Sequence, residues 1–442
     1  MRQILFIALV ALSVPLVVKR PLWGIAIYLG ANVVRPEMFF WGGRSGSFVF
    51  KAYFCLFVLA TILNGYLRNK GRIINREFLL MIWLIIAVLV SFAFAQYPIF
   101  RGDYYIIELL KGFGVCAFIY MIVTGFGDVK FVQNVLLGCF SFLGLWGIEQ
   151  SFRGNERLEG LGGNAWGDSN DLAAVFVMFL PVAFAKFFAS ENGRERWQAT
   201  AVIAIMVILI ICTQSRGGLL GLIACVAAYG FFTRNMRRIA FASLLMAVVV
   251  LPFASQEYFE RLKAMKSEDT LDGSAKSRLV LWELGLRVFS DNPLIGTGFL
   301  TYPHAKFEYK DEFRDLDSKF HAYIFRTKDM KVTHNTYIQM LSDCGLFGTI
   351  PYLLLIFGGI SAGFRSRKLI SRFPEKKEPL TWLCGLSAGV TGFAVCIITI
   401  NSVLIPFMYF QLVFIGILSR TITKDTEAEK QGAATSEACL GY

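Results

Sequence analysis

The residues best suited to chemistry lie between Lys331 and Leu346, in the stretch KVTHNTYIQMLSDCGL. It holds His334, one of only three histidines in the chain. Thr333 and Asn335 are residue types that cap and open helices, and an apolar series runs on from Tyr337 and Ile338 through Leu341 to Leu346 and Ile350. The pattern predicts the first turn of a helix that enters an apolar span. Unpaired amides at a helix N-terminus disfavour a nearby positive charge, so the imidazole is expected to stay neutral and able to accept a proton. Such a histidine at a water–lipid boundary suits a general base, while an interfacial histidine bonded to a backbone carbonyl would show the same pattern. His304 and His321 fall in a polar loop and read as solvated surface residues.

Two arginines stand out next. Arg216, in CTQSRGGLLG, lies between apolar segments with no carboxylate close in sequence. An anionic ligand would explain a cation there, and Gly217 and Gly218 would let a bulky group approach the backbone. Snorkelling to lipid headgroups is the alternative. Arg278 opens a helical pattern in DGSAKSRLVLWELGLRVFSDNPLIGTG, with Ser274 or Ser277 as cap and Asp291-Asn292-Pro293 as stop. At roughly 100° per residue it shares a face with Trp282, Gly285, Leu286 and Phe289, whereas Glu283, Arg287 and Ser290 point the other way. An amphipathic helix lying on the membrane would aim Arg278 at the lipid boundary; an arginine reaching past the helix end into water is the other reading. Planar guanidinium forks directed at one boundary suit a phosphate or pyrophosphate. In GLGGNAWGDSNDLA, the side chains of Asn164, Asp168, Asn170 and Asp171 either accept from ligand hydroxyls or cap a helix at Leu172. Its glycines make no phosphate loop, because the Gly-Lys-Ser/Thr ending is absent. Glu108 and Lys111, spaced i,i+3 within an apolar segment, are expected to pair.

The elements that must position these groups follow from composition. With 55% hydrophobic and only 17% charged residues, the chain is an all-α polytopic membrane protein. A formal charge of +12 would suggest nucleic acid, but the cations cluster in short connections between apolar segments, the topogenic pattern. No nucleic-acid partner is expected. Nine cysteines form no C-x-x-C pair, so neither a zinc site nor a disulfide framework is indicated, and no metal or other cofactor is called for. The start resembles a signal peptide without a cleavage site before Lys19, and is expected to be retained.

Thirteen apolar segments run from Ile4–Val18 and Leu22–Val34, both short of the ~20 residues needed to cross hydrocarbon, to Thr381–Ile400 and Val403–Leu418. The expected count is 12 or 13 spans, according to whether the first two each cross. Clusters at Arg68–Arg76, Lys186–Arg196, Arg234–Arg238 and Arg365–Lys377 fall on one side, which the positive-inside rule makes cytoplasmic. Arg216, His334 and the long connection 254–336 then face outward. The expected organisation is N-terminal membrane helices over 1–160, a core over 161–364 and C-terminal membrane helices over 365–420. A disordered cytoplasmic tail is expected over 421–442.

Taken in order, SRGG at a span boundary, then SRLVLWELGLRVFSDNPLIGTG, then THNTYIQMLSDCGLFG before a span, resemble the O-antigen ligase and polymerase superfamily. The likeness covers about Leu161 to Phe364. The N-terminal third matches mainly in hydropathy, and its short double start is similar to the exosortase-associated O-glycosylation ligases. Asp343 departs from the glutamate many members carry. The resemblance implies a GT-C-like fold and a metal-independent, inverting glycosyltransferase of the bacterial inner membrane. It would move a glycan from an undecaprenyl-diphosphate carrier to an acceptor hydroxyl, on lipid A-core or another glycan, at the periplasmic face. It further implies His334 as base and Arg216 and Arg278 as diphosphate ligands, with Asn335, Asp168 and Asp171 as further candidate substrate contacts. Chain polymerisation and protein O-glycosylation fit the same motifs. A transporter binding an anion in transit would instead show inverted repeats with broken helices at mid-membrane, and a scaffold would leave His334 without a purpose.

The orientation is directly testable. A periplasm-dependent reporter such as alkaline phosphatase, fused within 305–331, is expected to be active, and the same reporter fused after Lys368 inactive. The reverse pattern would remove His334 from the outer face.

Overall fold

The structure is a computed structural model that describes residues 2–36, 44–99, 102–155, 157–159, 168–240, 273–327 and 330–440. Every regular element among the described residues is helical. Eight helices are long and apolar enough to cross a membrane, and four shorter apolar ones accompany them: Val10–Lys19, Pro21–Val34, Lys51–Leu63 and Arg216–Phe232. These account for twelve of the thirteen apolar segments. The other, Ile239–Phe253, lies outside the described residues beyond 240, as do Asn164, the side chain of Ser274 and the connection from 254 to 272.

In chain order the helices used below are α1 (Arg2–Lys19), α2 (Pro21–Val34), α3 (Arg44–Leu63), α4 (Arg76–Ala93), α5 (Gly102–Ile122) and α6 (Phe126–Phe152). Then come α7 (Ser169–Ala189), α8 (Gly193–Cys212), α9 (Arg216–Phe232), α10 (Gly273–Asp291), α11 (Tyr302–Ala305) and α12 (Ser318–Ile324). The last are α13 (Thr336–Ile370), α14 (Lys377–Cys396) and α15 (Pro406–Leu440). α15 continues through residues expected to form an irregular tail, because Ala, Glu, Lys and Gln there are strong helix formers.

The centre of the bundle is α7, whose residues from Leu172 to Ala183 are all buried, packed on α9 and α14. Lipid offers no hydrophobic drive between apolar helices, so close packing must hold them, and small residues allow it. A side chain at Gly389 would overlap the Met178 carbonyl, one at Gly385 would crowd the Pro181 carbonyl, and one at Gly221 would meet Cys396. That contact brings the starts of α7 and α9 to the same end as the close of α14. Glu108 and Lys111 on α5 form the expected ion pair at 2.7 Å.

The helix predicted at Thr333–Asn335 is α13, with Asn335 as its N-cap. The sequence does not announce its interruption at Gly345, where φ 59° and ψ −161° break the helical path. Into that break the loop after α10 docks largely through its backbone. The amides of Leu346 and Phe347 donate to the carbonyls of Pro293 and Leu294 at 2.8 and 2.9 Å. In return the amides of Thr297 and Gly298 donate to Ser342 and Asp343 at 3.0 and 3.1 Å. The Asp343 carboxylate accepts from the amides of Leu300 at 3.1 Å and Tyr302 at 2.9 Å, and from the Gln339 side-chain amide.

α10 differs in rotation from its expected placement. Its buried face is Ser277, Leu281, Leu284, Gly285 and Val288, while Leu286 is exposed and Arg278, Trp282 and Phe289 are half-buried. The reason is a partner the sequence did not reveal. Leu281, Leu284 and Val288 form a second core with Tyr302, Ala305, Tyr309, Phe313, Ile324 and Phe325 of the following loop helices, so α10 packs on its own domain. The solvated reading of His304 and His321 also changes. Both are half-buried, His321 stacking on Phe325 at 4.8 Å and His304 lining a cavity.

Gly345→Ala tests the docking. Its backbone lies in a region open almost only to glycine, a cost of about 1–3 kcal/mol for alanine, and the added carbon would overlap the Leu294 backbone. The variant is expected to lower the melting temperature of the detergent-solubilised protein, whereas Gly358→Ala, with open space around it, is not.

Candidate active site

Three helix N-termini meet at the site face, each closed by a side chain. Asp168 caps α7 by accepting from the Asn170 amide at 2.7 Å, Ser215 caps α9 through the Gly218 amide at 3.0 Å, and Asn335 caps α13 through the amides of Tyr337 and Ile338 at 3.0 and 3.1 Å. α7 therefore begins at Ser169, three residues ahead of the start read from sequence. Ser215 Oγ also donates to Asn170 Oδ1 at 2.7 Å, which joins α9 to α7. Arg216 is the first residue of α9, so its side chain leaves from this junction.

A short loop after α14 ties in the third terminus. Asn401 Oδ1 accepts from the Asn335 amide and from Thr333 Oγ1, both at 3.0 Å, and Asn401 Nδ2 donates to Gln339 Oε1 at 3.0 Å. Ser402 donates its amide to Thr336 Oγ1 at 2.9 Å and its hydroxyl to Asp171 Oδ1 at 3.2 Å. Asp171, Asn335 and the Ser215–Arg216 turn are thus stitched to one frame. The capping and stitching roles of Asp168, Asp171 and Asn335 are occupied within the protein. Pattern reading missed Asn401 and Ser402, and the signal was there: a polar Thr399-Asn401-Ser402 set interrupts an apolar run before Pro406.

His334 sits between the two residues this frame grips. Its φ of 49° is left-handed, and Gln214, one residue before the α9 cap, has φ 53°. Both histidine and arginine turns therefore use the same device, a left-handed residue followed by a capping side chain. Non-glycine residues held there cost about 1–3 kcal/mol each and persist only where the surroundings over-determine them. Around His334 the surroundings do so from three sides: Asn401 below, Trp282 Nε1 donating to the Thr333 carbonyl at 3.0 Å, and Lys306 Nζ donating to the Lys331 carbonyl at 2.9 Å. Lys306 is fully buried, and burial pushes its ammonium down to about 7.

The electrostatics agree. Burial first, and then the positive charge of Arg278, push the His334 imidazole down to about 4, with Asp168 opposing and Lys331 and Lys306 adding to the shift. Arg278 lies one turn before Trp282 on α10, so the helix that grips the Thr333 carbonyl also aims a guanidinium toward the histidine. The result is a neutral imidazole in a net positive field, at the meeting point of three positive helix ends.

Residues 201–353 match the model of the O-antigen ligase family. Over that segment, about a third of its length, the chain is similar to O-antigen ligases. No curated protein matches the chain. The ligase match runs from α8 into α13 and takes in Arg216, Arg278 and His334, while Asp168, Asp171, Asn401 and Ser402 lie outside it. The match supports a glycan-transfer function for this membrane protein. What the geometry adds is that residues on both sides of the ligase segment complete the frame around its histidine.

The pH response of the protein follows from the sign of the shift. Below an unfolded value of about 6.5 the unfolded chain takes up the His334 proton before the folded one, so folded stability falls as pH drops from about 6.5 towards about 4. His334→Gly, which also relieves the left-handed backbone, is expected to flatten that part of a melting-temperature profile. An unchanged slope would place the titration elsewhere.

Proposed function

We propose that the protein transfers a glycan from an undecaprenyl-diphosphate carrier to an acceptor hydroxyl at the periplasmic face of the bacterial inner membrane. The observation that carries this reading is the clamped, neutral His334 beside Arg278, at a junction of three helix N-termini that also holds Arg216. A base and an anion site side by side are what the reaction requires.

In the proposed step His334 takes the proton of the acceptor hydroxyl as its oxygen bonds to the anomeric carbon. The bond from that carbon to the diphosphate oxygen breaks, and its electron pair leaves with the undecaprenyl diphosphate. Arg216 and Arg278 stabilise the charge that grows on the leaving group, and the helix ends add to the same field. One displacement inverts the anomeric configuration. No metal is assigned a part, because the arginines supply the electrophilic contacts. Asn335, Asp168 and Asp171 act as the frame that keeps donor and histidine in register. The acceptor is lipid A-core or another glycan.

The test is transfer from a purified undecaprenyl-diphosphate glycan in detergent, with EDTA present and acceptors varied. Loss of the base is expected to lower kcat by roughly 100- to 10,000-fold in both His334→Ala and His334→Gly. Arg216→Ala and Arg278→Ala are each expected to lose roughly 10- to 100-fold in kcat/KM, the worth of a charge-assisted contact of about 1.5–3 kcal/mol. Transfer that survives in both His334 variants, or that needs an added metal, would sink the mechanism.

A further inference from the structure

A cavity of about 640 Å³ opens beside the histidine strip, with Val332 in its wall. Its inner wall includes Val332, Gln339 and Asn401, the last two being the side chains that bind Thr333 and fix the strip from below. Next to it lies a second hollow of about 470 Å³, and His304, Thr327 and Met330 line both. The outer hollow ends at Tyr97, Phe307 and Glu308. None of these residues has a part in the donor chemistry above.

The composition of the groove selects its occupant. Among the described residues its lining carries the carboxylates Glu308 and Asp343 and no arginine or lysine; the Lys306 ammonium stands beside it, over the Phe307 ring at 5.7 Å and bonded to the Lys331 carbonyl. Ring faces from Tyr97, Phe307, Phe299 and Tyr105 alternate with Gln339, Asn401, Thr327 and His304 as hydrogen-bonding groups. Flat aromatic faces take the C–H side of a pyranose, and amide, carboxylate and imidazole groups take its hydroxyls; a few placed polar groups in an otherwise apolar cleft are the usual build of a specific site. Asp343 is committed to the loop amides, and Glu308 is hydrogen-bonded with Tyr97 at the outer end of the groove.

We infer that this groove seats the acceptor, binding a neutral or amino-substituted saccharide whose hydroxyl is delivered past Val332 to His334. The inference rests on the transfer reading and adds to it a second, separate subsite. Donor and acceptor then occupy separate subsites, the anionic one at the arginines and the neutral one among the aromatic rings. A sugar bearing a phosphate at the reacting end would be a poor acceptor.

The experiment uses methyl glycosides of glucose and N-acetylglucosamine as probes, with glucose 1-phosphate as the anionic counterpart. Saturation-transfer-difference NMR reads their binding to the full protein in detergent. Wild type is expected to give a signal with a methyl glycoside at least fivefold stronger than with glucose 1-phosphate, and inorganic pyrophosphate is not expected to displace it. Thr327→Trp, at an exposed position of the shared wall, fills the groove and is expected to abolish the signal at an unchanged melting temperature. Phe307→Ala is expected to weaken it at least fivefold. No glycoside signal in wild type, displacement by pyrophosphate, or a full signal in folded Thr327→Trp would each overturn the inference. These readouts need neither donor nor turnover, so a protein that binds glycosides but transfers nothing sinks the transfer reading and leaves the groove. Transfer by Thr327→Trp with the wild-type acceptor KM sinks the groove alone.

Discussion

The break in α13 at Gly345 is the constraint on which the site depends. A helix crossing lipid must satisfy its amides and carbonyls internally, and an interrupted one can do so only where other protein supplies the missing partners. Here the loop 293–302 supplies them, with backbone bonds in both directions and the Asp343 carboxylate beneath. Gly296, with φ 70°, would overlap the Asp343 backbone if it carried a side chain, so both strands of the contact need glycine. The docking joins the region outside the membrane to the helix that presents His334. Because α10 ends at Asp291, just before this loop, its Arg278 and Trp282 are aimed from a fixed anchor.

From that anchor the frame extends by capping. Asp168, Ser215 and Asn335 each close a helix, and each is within one hydrogen bond of a neighbouring element, directly or through Asn170, Asn401 and Ser402. The caps do two things together. They remove the orphan amides that would otherwise be stranded near lipid, and they turn three dipole ends toward one place. The two left-handed residues, Gln214 and His334, are the strain that this frame holds.

Much of this was legible. Hydropathy located the spans, and the residue types around His334 announced a helix start, because capping chemistry is local. Arg216 and Arg278, which the resemblance singled out, lie within the segment that matches the ligase model. What pattern could not reveal were contacts between distant segments. The face of α10 was misread because periodicity locates an apolar stripe without knowing whether membrane or protein covers it, and here Tyr302, Tyr309 and Phe313 do. Gly345 reads as an ordinary glycine in a span until Leu294 is seen against it. Asn401, some 60 positions after Asn335, could be known as its partner only from the fold.

The positive field raises a tension with catalysis that the donor itself resolves. With its imidazole pushed down to about 4, His334 is neutral before substrate arrives and a weak base. Burial depresses it most and the charge of Arg278 next, and Arg278 is the group proposed to hold the diphosphate. Once a dianion lies over Arg278, the field at the imidazole changes sign. A unit charge about 6 Å away at an effective dielectric of about 20 is worth about 3 kcal/mol, or roughly two pKa units. Donor binding would therefore carry the histidine back toward the range in which a base works best at neutral pH. An empty site would hold an unreactive histidine and a loaded one a competent base, so activation of the acceptor hydroxyl would follow arrival of the donor. On the proposed mechanism the depressed value in the free protein would keep the base idle until there is something to transfer.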